Sequence, residues 1–268
     1  MFGYLAAKKV DVMLIGYLGF SVSMVKYILS RTDVHLCLWI CEKSRWTREM
    51  QEICDAHGMK YRLVQNRAEL ASILRSCPTM HFLMYEFGLI LPEDVTEKHC
   101  VINFHPGSLE NNRGRTPIVR SILRGDSYTK YVAYRLTKGI DQGQEITSRV
   151  VPITQDMDSL QLKQRMEQCL PEMLNDVAAY LRDGQIHEEA GIYCPKVGAA
   201  DYTLNLSEDR LQDVERKVLS QGMYDGAILD GRRIRSVETR DYTWTRVADE
   251  DGLHYEIRAH VVLHDEMR

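Results

Sequence analysis

Short apolar runs alternate, through the first half of the chain, with segments in which apolar residues recur every three or four positions. Such runs are typical of buried strands, and the periodic segments are typical of amphipathic helices. The runs predict strands at residues 10–15, 34–40, 61–64, 80–85 and 101–104. The periodic segments predict helices at residues 22–29, 47–57 and 68–76. This alternation predicts an α/β protein with a Rossmann-like, mostly parallel sheet and helices on both faces.

The second half of the chain continues this pattern and then departs from it. It predicts a helix at residues 116–124, strands at 131–136 and 145–152, and a long helix at 159–183, broken or offset at Pro171. After about Pro195 the pattern predicts a polar helix, an Asp-Gly hairpin and an alternating apolar stretch, at residues 208–219, 227–234 and 254–264. We therefore predict a first domain at residues 1–195 and a small C-terminal α+β subdomain at residues 196–268.

Composition limits the class of protein. The chain has 268 residues, of which 44% are hydrophobic, so it can bury a sizeable core and disorder is not expected. Its formal net charge of -4 argues against a surface that binds nucleic acid, for which a basic domain is expected. No run approaches the roughly 18 apolar residues of a membrane span. We expect no membrane or nucleic-acid partner, and a cytoplasmic location in which the seven cysteines are reduced.

Two polar motifs follow predicted strands. Residues 103–108 read Asn-Phe-His-Pro-Gly-Ser, so Asn103 and His105 share one face of a strand that ends at a Pro-Gly break. Residues 138–143 read Lys-Gly-Ile-Asp-Gln-Gly, a turn between glycines with Asp141 inside it. An amide donor, an imidazole and a carboxylate suit acyl transfer through a tetrahedral oxyanion. Asn103, His105 and Asp141 are therefore the candidate catalytic residues.

Several turns predicted after strands belong to the same edge of the sheet. The turns at Gly16, at residues 86–91 and at residues 105–107 all follow strands, and ligands bind beyond the carboxyl ends of such strands. Residues 16–19, Gly-Tyr-Leu-Gly, could form a dinucleotide loop, but the full glycine fingerprint is absent and Glu42 is a poor substitute for its acid. We favour a turn near the substrate over an NAD site.

Each candidate also has a purely structural interpretation. His105 could be a satisfied interior histidine, and Asp141 a plain turn acid. Arg113 could lie in a surface turn, although an arginine beside the predicted catalytic loop suits a phosphate or carboxylate. His99, just upstream of its strand, is predicted to lie at the surface. The histidines show no metal-ligand spacing, and we expect no metal.

Three ordered segments together resemble a known family. They are Asn103-x-His-Pro, then residues 112–117 reading Asn-Arg-Gly-Arg-Thr-Pro, then residues 139–143. The pattern resembles the catalytic region of the formyltransferases that use N10-formyltetrahydrofolate, from about residue 13 to about residue 153. Two positions depart from the usual pattern: Glu110 stands where a proline is usual, and Gln142 where a threonine is usual. The family's catalytic Asn, His and Asp fall on the three candidate residues.

The resemblance implies a formyltransferase fold, with residues 1–195 as its catalytic domain, N10-formyltetrahydrofolate as the formyl donor and no metal. It implies that the loop at residues 87–92 hydrogen-bonds the pterin through its backbone and that the loop at residues 138–143 lines the folate pocket. The implied folate-binding residues are Phe87, Gly88, Leu89, Leu91, Lys138, Gly139 and Ile140. The predicted acceptor-binding residues are Gly16, Tyr17, Arg113 and Gly114.

The amine acceptor remains open among the branches of that family. The methionyl-tRNA enzymes carry a C-terminal barrel and a basic surface, whereas this tail is short and the chain is acidic. The glycinamide ribonucleotide enzymes lack the Asn-Arg-Gly turn. A nucleotide-linked amino sugar fits best, and a non-catalytic relative that binds folate or a nucleotide sugar is the alternative from another class. The alternating stretch at residues 257–261 needs a surface to pack against, so a homodimer is also expected as one option.

Overall fold

The computed structural model of the chain describes residues 9–16, 20–78, 81–137, 141–183, 187–188, 194–249 and 252–265. The described residues form two compact units. The first comprises those of Met1–Gly114, Thr129–Val151 and Gln164–Cys194, and the second those of Arg115–Tyr128, Pro152–Lys163 and Pro195–Arg268. The second unit thus includes two segments from within the first 195 residues, and the predicted division into domains at residue 195 stays a prediction.

The first unit is built on an eight-stranded sheet. Its strands are β1 (Val10–Gly16), β2 (Val34–Glu42), β3 (Tyr61–Val64), β4 (His81–Tyr85), β5 (Cys100–His105), β6 (Tyr128–Leu136), β7 (Gly143–Pro152) and β8 (His187–Glu188). Their order across the sheet is β3-β2-β1-β4-β5-β6-β7-β8. The first five pair in parallel, whereas β6 runs antiparallel to β5 and β8 antiparallel to β7. The predicted mostly parallel sheet is confirmed.

Eight α-helices lie within the described residues. They are α1 (Phe20–Leu29), α2 (Arg48–His57), α3 (Arg67–Ser76), α4 (Glu93–Lys98), α5 (Pro117–Arg124), α6 (Ser159–Gln168), α7 (Leu170–Asp183) and α8 (Leu211–Ser220). The hydroxyl of Thr47 accepts from the N–H of Met50 at the start of α2, and Gly58 ends that helix with a φ of 60°. Pro171 falls in the first turn of α7, where its missing N–H costs nothing.

Apolar side chains cover both faces of the sheet. Met13 and Ile15 of β1 belong to a core cluster with Leu70 of α3 and Val95 of α4. Val12 points the other way, because successive strand residues alternate between faces. It lines an apolar crevice with residues of α1 and α7, namely Ile28, Leu174, Val177 and Ala178. The prediction of helices on both faces is therefore confirmed.

The second unit has a small α+β core of its own. Its strands are β9 (Ala227–Leu229), β10 (Arg232–Ile234), β11 (Ser236–Asp249) and β12 (Gly252–His264). Asp230 and Gly231 join β9 to β10 with φ values of 47° and 78°, as the Asp-Gly hairpin signal predicts. Leu204, Val214 and Val218 pack with residues of these short strands. The long strand β11, which the pattern did not predict, pairs antiparallel with β12.

Two further observations qualify the sequence-based expectations. His99 is buried, 2% exposed, with its ring edge-on to Phe82 at a centroid distance of 5.0 Å, so the prediction of a surface position was wrong. The polar residues just before β5 gave no indication in the sequence that the side chain of His99 packs against Phe82 of the sheet. Within the described ranges, the structure contains no helix both long and apolar enough to cross a membrane, and no cluster of three potential metal ligands.

Candidate active site

Strand β5 carries Asn103 and His105 to the carboxyl end of the parallel strands. Both side chains are buried, because β5 lies between β4 and β6 inside the sheet. Asn103 sits directly opposite Tyr134 in the antiparallel ladder between β5 and β6. Side chains on directly opposed residues lie close enough to contact each other. The register of these two strands therefore decides which group Asn103 meets.

A chain of hydrogen bonds links Asn103 to Asp141 through Tyr134. The amide nitrogen Nδ2 of Asn103 lies 2.8 Å from the hydroxyl of Tyr134, and that hydroxyl lies 2.8 Å from Oδ1 of Asp141. Sequence reasoning did not identify Tyr134, since a tyrosine within a strand is ordinary. The signal that could have found it is its position opposite Asn103, which requires the pairing of β5 with β6.

The direction of these bonds follows from their chemistry. An ionised carboxylate only accepts, so Tyr134 donates its single proton to Asp141 and accepts from Asn103. Burial, and then the charge of Asp141, raise the pKa of Tyr134 well above its ordinary value, so the phenol keeps that proton. One hydrogen on Nδ2 of Asn103 is left without a partner among the residues that the structure describes.

His105 is held in one tautomer. Its Nε2 lies 2.9 Å from the backbone oxygen of Asn112, which only accepts, so Nε2 carries a proton. Nδ1 lies 3.7 Å from Oδ2 of Asp141, which is an ion-pair distance but too long for a hydrogen bond. In the neutral ring Nδ1 therefore holds a lone pair beside a carboxylate, which would stabilise the ring once Nδ1 takes a proton.

The loop that carries Asp141 is fixed at several points. The carboxylate oxygen Oδ2 of Asp141 accepts from the N–H of Gly114 at 2.7 Å, where the glycine φ is 100°. Asp141 itself has a φ of 48°, a left-handed conformation that costs free energy for a residue with a side chain. At the base of the loop, the N–H and the hydroxyl of Thr137 both donate to the carbonyl of Gln142. These bonds hold the backbone of Asp141 in its left-handed conformation and fix the position of its carboxylate.

Gly143 is required by the packing of the two strands around the loop. A Cβ at this position would lie 1.9 Å from the backbone oxygen of Arg135 and 2.7 Å from the ring of Tyr134. The close approach that a glycine allows here is therefore to the backbone of β6.

The residues predicted to bind folate lie partly within the described chain. Lys138, Gly139 and Ile140 fall outside it. Phe87 and Leu89 pack against the core, and Leu91 is buried within it. The backbone N–H of Gly88 donates to Oε1 of Glu42 at 2.8 Å, close to where a Cβ on this glycine would stand. The loop is thus pinned to the end of β2, and that N–H is already engaged.

One of the predicted acceptor-binding residues, Arg113, carries a buried charge. Tyr17 falls outside the described residues, and the carbonyl of Gly16 accepts from the indole of Trp39 at 3.0 Å. Gly114 holds Asp141, as described above. Arg113 is 6% exposed, and the Nε of its guanidinium has no hydrogen-bond partner among the described residues. A buried charge is costly unless it is paired, and the role of Arg113 in acceptor binding stays a prediction.

The fold and this constellation define the class of protein. The sheet, the flanking helices and a polar site at the carboxyl ends of the strands form the formyltransferase fold. Residues 33–178, more than half of the chain, match the family described as formyl transferase, and the chain belongs to that family. The resemblance inferred from the three motifs is therefore confirmed.

Individual relatives agree with this membership. The methionyl-tRNA formyltransferase of Granulibacter bethesdensis is 29% identical over 161 residues, covering 58% of this chain and 52% of that protein. The chain thus spans about half the length of the curated relatives it matches.

Two solved structures share the fold along almost their whole length. A sugar N-formyltransferase from a Shewanella species superposes with a TM-score of 0.63 at 17% identity, covering 97% of this chain and 99% of that one. The N-formyltransferase of Helicobacter canadensis, solved with folinic acid and dTDP-3-aminofucose, superposes with a TM-score of 0.66 at 13% identity, covering 94% and 100%.

Proposed function

We propose that the protein transfers a formyl group from N10-formyltetrahydrofolate to the primary amine of a nucleotide-linked amino sugar. The observation that carries the proposal is the joined set of Asn103, His105 and Asp141 in a member of the formyl transferase family. Among the described residues, one N–H of Asn103 and the Nδ1 of His105 have no hydrogen-bond partner. A carbonyl that is attacked by an amine needs these two groups.

The three residues have distinct roles in this reaction. Asn103 donates to the formyl oxygen as negative charge develops there, a type of contact typically worth about 10²–10³ in rate. His105 accepts the proton that the amine loses at Nδ1, because Nε2 already carries one, and delivers it to the departing folate nitrogen. Asp141 lies beside Nδ1 and stabilises the imidazolium between those two steps.

The groups around the site fit a folate-linked formyl donor. The free donor at Asn103 suits a formyl oxygen, and the apolar side chains of Phe87, Leu89 and Leu91 sit on a loop at the same edge of the sheet. We assign the folate to this loop and to residues 138–140. Because the N–H of Gly88 is engaged by Glu42, the pterin would use other backbone groups of the loop.

Two observations favour a nucleotide-linked amino sugar as the acceptor. The sugar N-formyltransferase fold covers nearly the full length of this chain, including the part after residue 195. Arg113 is a buried guanidinium whose Nε has no hydrogen-bond partner among the described residues, and a pyrophosphate would supply a negatively charged partner. The net charge of -4 also disfavours a tRNA.

Methionyl-tRNA is the second candidate acceptor. The observation in its favour is that the sequence relatives at 28–31% identity are named methionyl-tRNA formyltransferases. In the first and the third of these relatives, the similarity covers 58% and 47% of the chain. It therefore does not extend over the whole chain.

An acceptor panel tests the proposal. The purified protein and N10-formyltetrahydrofolate would be incubated with nucleotide-linked 3-amino and 4-amino sugars, methionyl-tRNA and glycinamide ribonucleotide, and products identified by mass spectrometry. We expect a formamide only with an amino sugar. Formylation of methionyl-tRNA alone would select the second candidate, and folate binding without any formamide would select a non-catalytic role.

A further inference from the structure

We infer that Tyr134 is a positioning residue, which fixes the amide of Asn103 so that its second N–H is presented to the formyl oxygen. This inference rests on the proposed function and extends it to a residue outside the three catalytic candidates. Tyr134 is fully buried and touches two of those candidates with one hydroxyl. No other described side chain hydrogen-bonds to both.

The need for such a residue comes from the shape of a carboxamide. The oxygen and the nitrogen of the Asn103 amide occupy nearly the same space, so packing alone does not choose between its two orientations. With nitrogen toward Tyr134, one N–H of Asn103 meets the phenol and the second is held in a fixed direction beside it. The opposite orientation would set the amide oxygen against the phenol oxygen.

Asp141 determines which of the two amide orientations of Asn103 is favoured. Tyr134 has a single proton, and the carboxylate of Asp141 takes it at 2.8 Å. The phenol can then only accept from Asn103, so the opposite orientation would place two lone pairs against each other. The charge on Asp141 is thereby transmitted through Tyr134 to the donor that faces the formyl group.

The strand register keeps the three groups in place. Asn103 and Tyr134 are directly opposed in the ladder between β5 and β6, and the Tyr134 ring belongs to the core cluster. Replacement by phenylalanine would keep the ring and remove only the hydroxyl. The matched control is Tyr131→Phe, because Tyr131 is an equally buried tyrosine of the same strand, and its ring packs with those of Tyr85 and Phe104.

The experiment compares wild type, Tyr134→Phe and Tyr131→Phe by steady-state kinetics and by NMR of the Asn103 side-chain amide. We expect Tyr134→Phe to lower kcat by roughly 10–100-fold with little change in KM, since it disturbs a donor used in the transition state. We also expect the Asn103 amide hydrogens to exchange faster with water. Tyr131→Phe should behave as wild type in both measurements.

The two readouts separate this inference from the proposed function. If wild type transfers formyl groups and Tyr134→Phe keeps its kcat, the positioning role is refuted. If wild type formylates none of the acceptors, the proposed function fails, and amide exchange still decides: faster exchange in Tyr134→Phe alone supports the positioning of Asn103, and unchanged exchange refutes it.

Discussion

Two polar clusters lie at opposite ends of the parallel strands, and they differ in how their charged groups are paired. Asp33, just before β2, accepts two bonds from the guanidinium of Arg31 and a third from Arg182. At the carboxyl end of the strands, Nδ1 of His105 and Nε of Arg113 have no hydrogen-bond partner among the described residues. In the first cluster the charged groups are paired with one another, whereas in the second these nitrogen atoms could bond to a ligand.

We propose that this difference distinguishes a structural ion cluster from a functional one. Arg31 and Arg182 hold the pKa of Asp33 at about 2, a value that reports pairing within the protein. Around Asp141 the bonds from Gly114 and Tyr134 orient the carboxylate toward the imidazole of His105. Perturbing the first cluster should change stability, and perturbing the second should change turnover.

The largest effect is expected from truncating the three catalytic candidates. Asn103→Ala, His105→Ala and Asp141→Ala should each lower kcat by about 10²–10³ or more while circular dichroism stays that of the wild type, because each removes a group that acts on the reacting atoms. Near wild-type turnover in any one of them would remove that residue from the catalytic set.

Asn66→Ala is a matched control for Asn103→Ala. The Asn66 side chain accepts from the N–H groups of Ala68 and Glu69 at the start of α3. Its loss should cost about 1 kcal/mol in the free energy of unfolding. Turnover should not change.

A methyl group at Gly143 should affect both stability and turnover. Gly143→Ala forces a Cβ against the backbone oxygen of Arg135, so we expect a loss of roughly 1–3 kcal/mol in the free energy of unfolding. Turnover should fall by about 100-fold, because Asp141 would be displaced. Urea unfolding and initial rates measure the two.

Gly58→Ala separates strain from displacement. Gly58 also has a left-handed φ, but a Cβ there would meet no atom within 4 Å. It should therefore cost about 1–2 kcal/mol in stability and leave turnover unchanged. A Gly143→Ala variant that lost stability alone would show that the loop tolerates the shift.

Much of this architecture was predictable from the sequence because its signals are local. The alternation of strands and helices, the Gly58 cap and the Asp-Gly hairpin each depend on residues near in the chain. The spacing of Asn103 and His105 likewise places both on one strand face. These features need no knowledge of how distant segments pair.

What escaped prediction depends on long-range pairing. Tyr134 meets Asn103 only because β6 runs antiparallel to β5 in one register. His99 is buried by contact with Phe82, a residue of another strand. The helix α4 was missed because its six residues are too few for a periodic pattern.

Arg113→Met tests the anion site. Because the buried Nε of Arg113 has no hydrogen-bond partner among the described residues, we expect the variant to be at least as stable as wild type. The KM for an anionic acceptor should rise by roughly 10–100-fold, with binding of the folate donor unchanged. Unchanged KM for the acceptor would exclude Arg113 from acceptor binding.

Arg149→Met is the matched control for a paired arginine. Arg149 pairs with Glu172 and Asp176. Its replacement should lower stability and leave the acceptor KM unchanged. An equal effect of both variants on KM would point to general electrostatics rather than to a site.

The smallest effect is expected at Asp33. Its folded-state pKa, about 2, lies below the ordinary value of 3.8, so its stabilising contribution is complete above that value and is lost as pH falls toward 2. Asp33→Asn should cost about 1 kcal/mol at neutral pH, since the pair is partly exposed. Urea unfolding should show the difference from wild type shrinking below about pH 4. A difference independent of pH would argue against an ionic contribution.

The most direct test of the central claim is the rate of tetrahydrofolate release from N10-formyltetrahydrofolate, with and without a nucleotide-linked amino sugar. We predict that wild type releases tetrahydrofolate only when the amine is present, one molecule for each formamide formed. We also predict that Asn103→Ala abolishes this amine-dependent release. Release at the same rate without the amine, or no release with any amine, would contradict formyl transfer at this site.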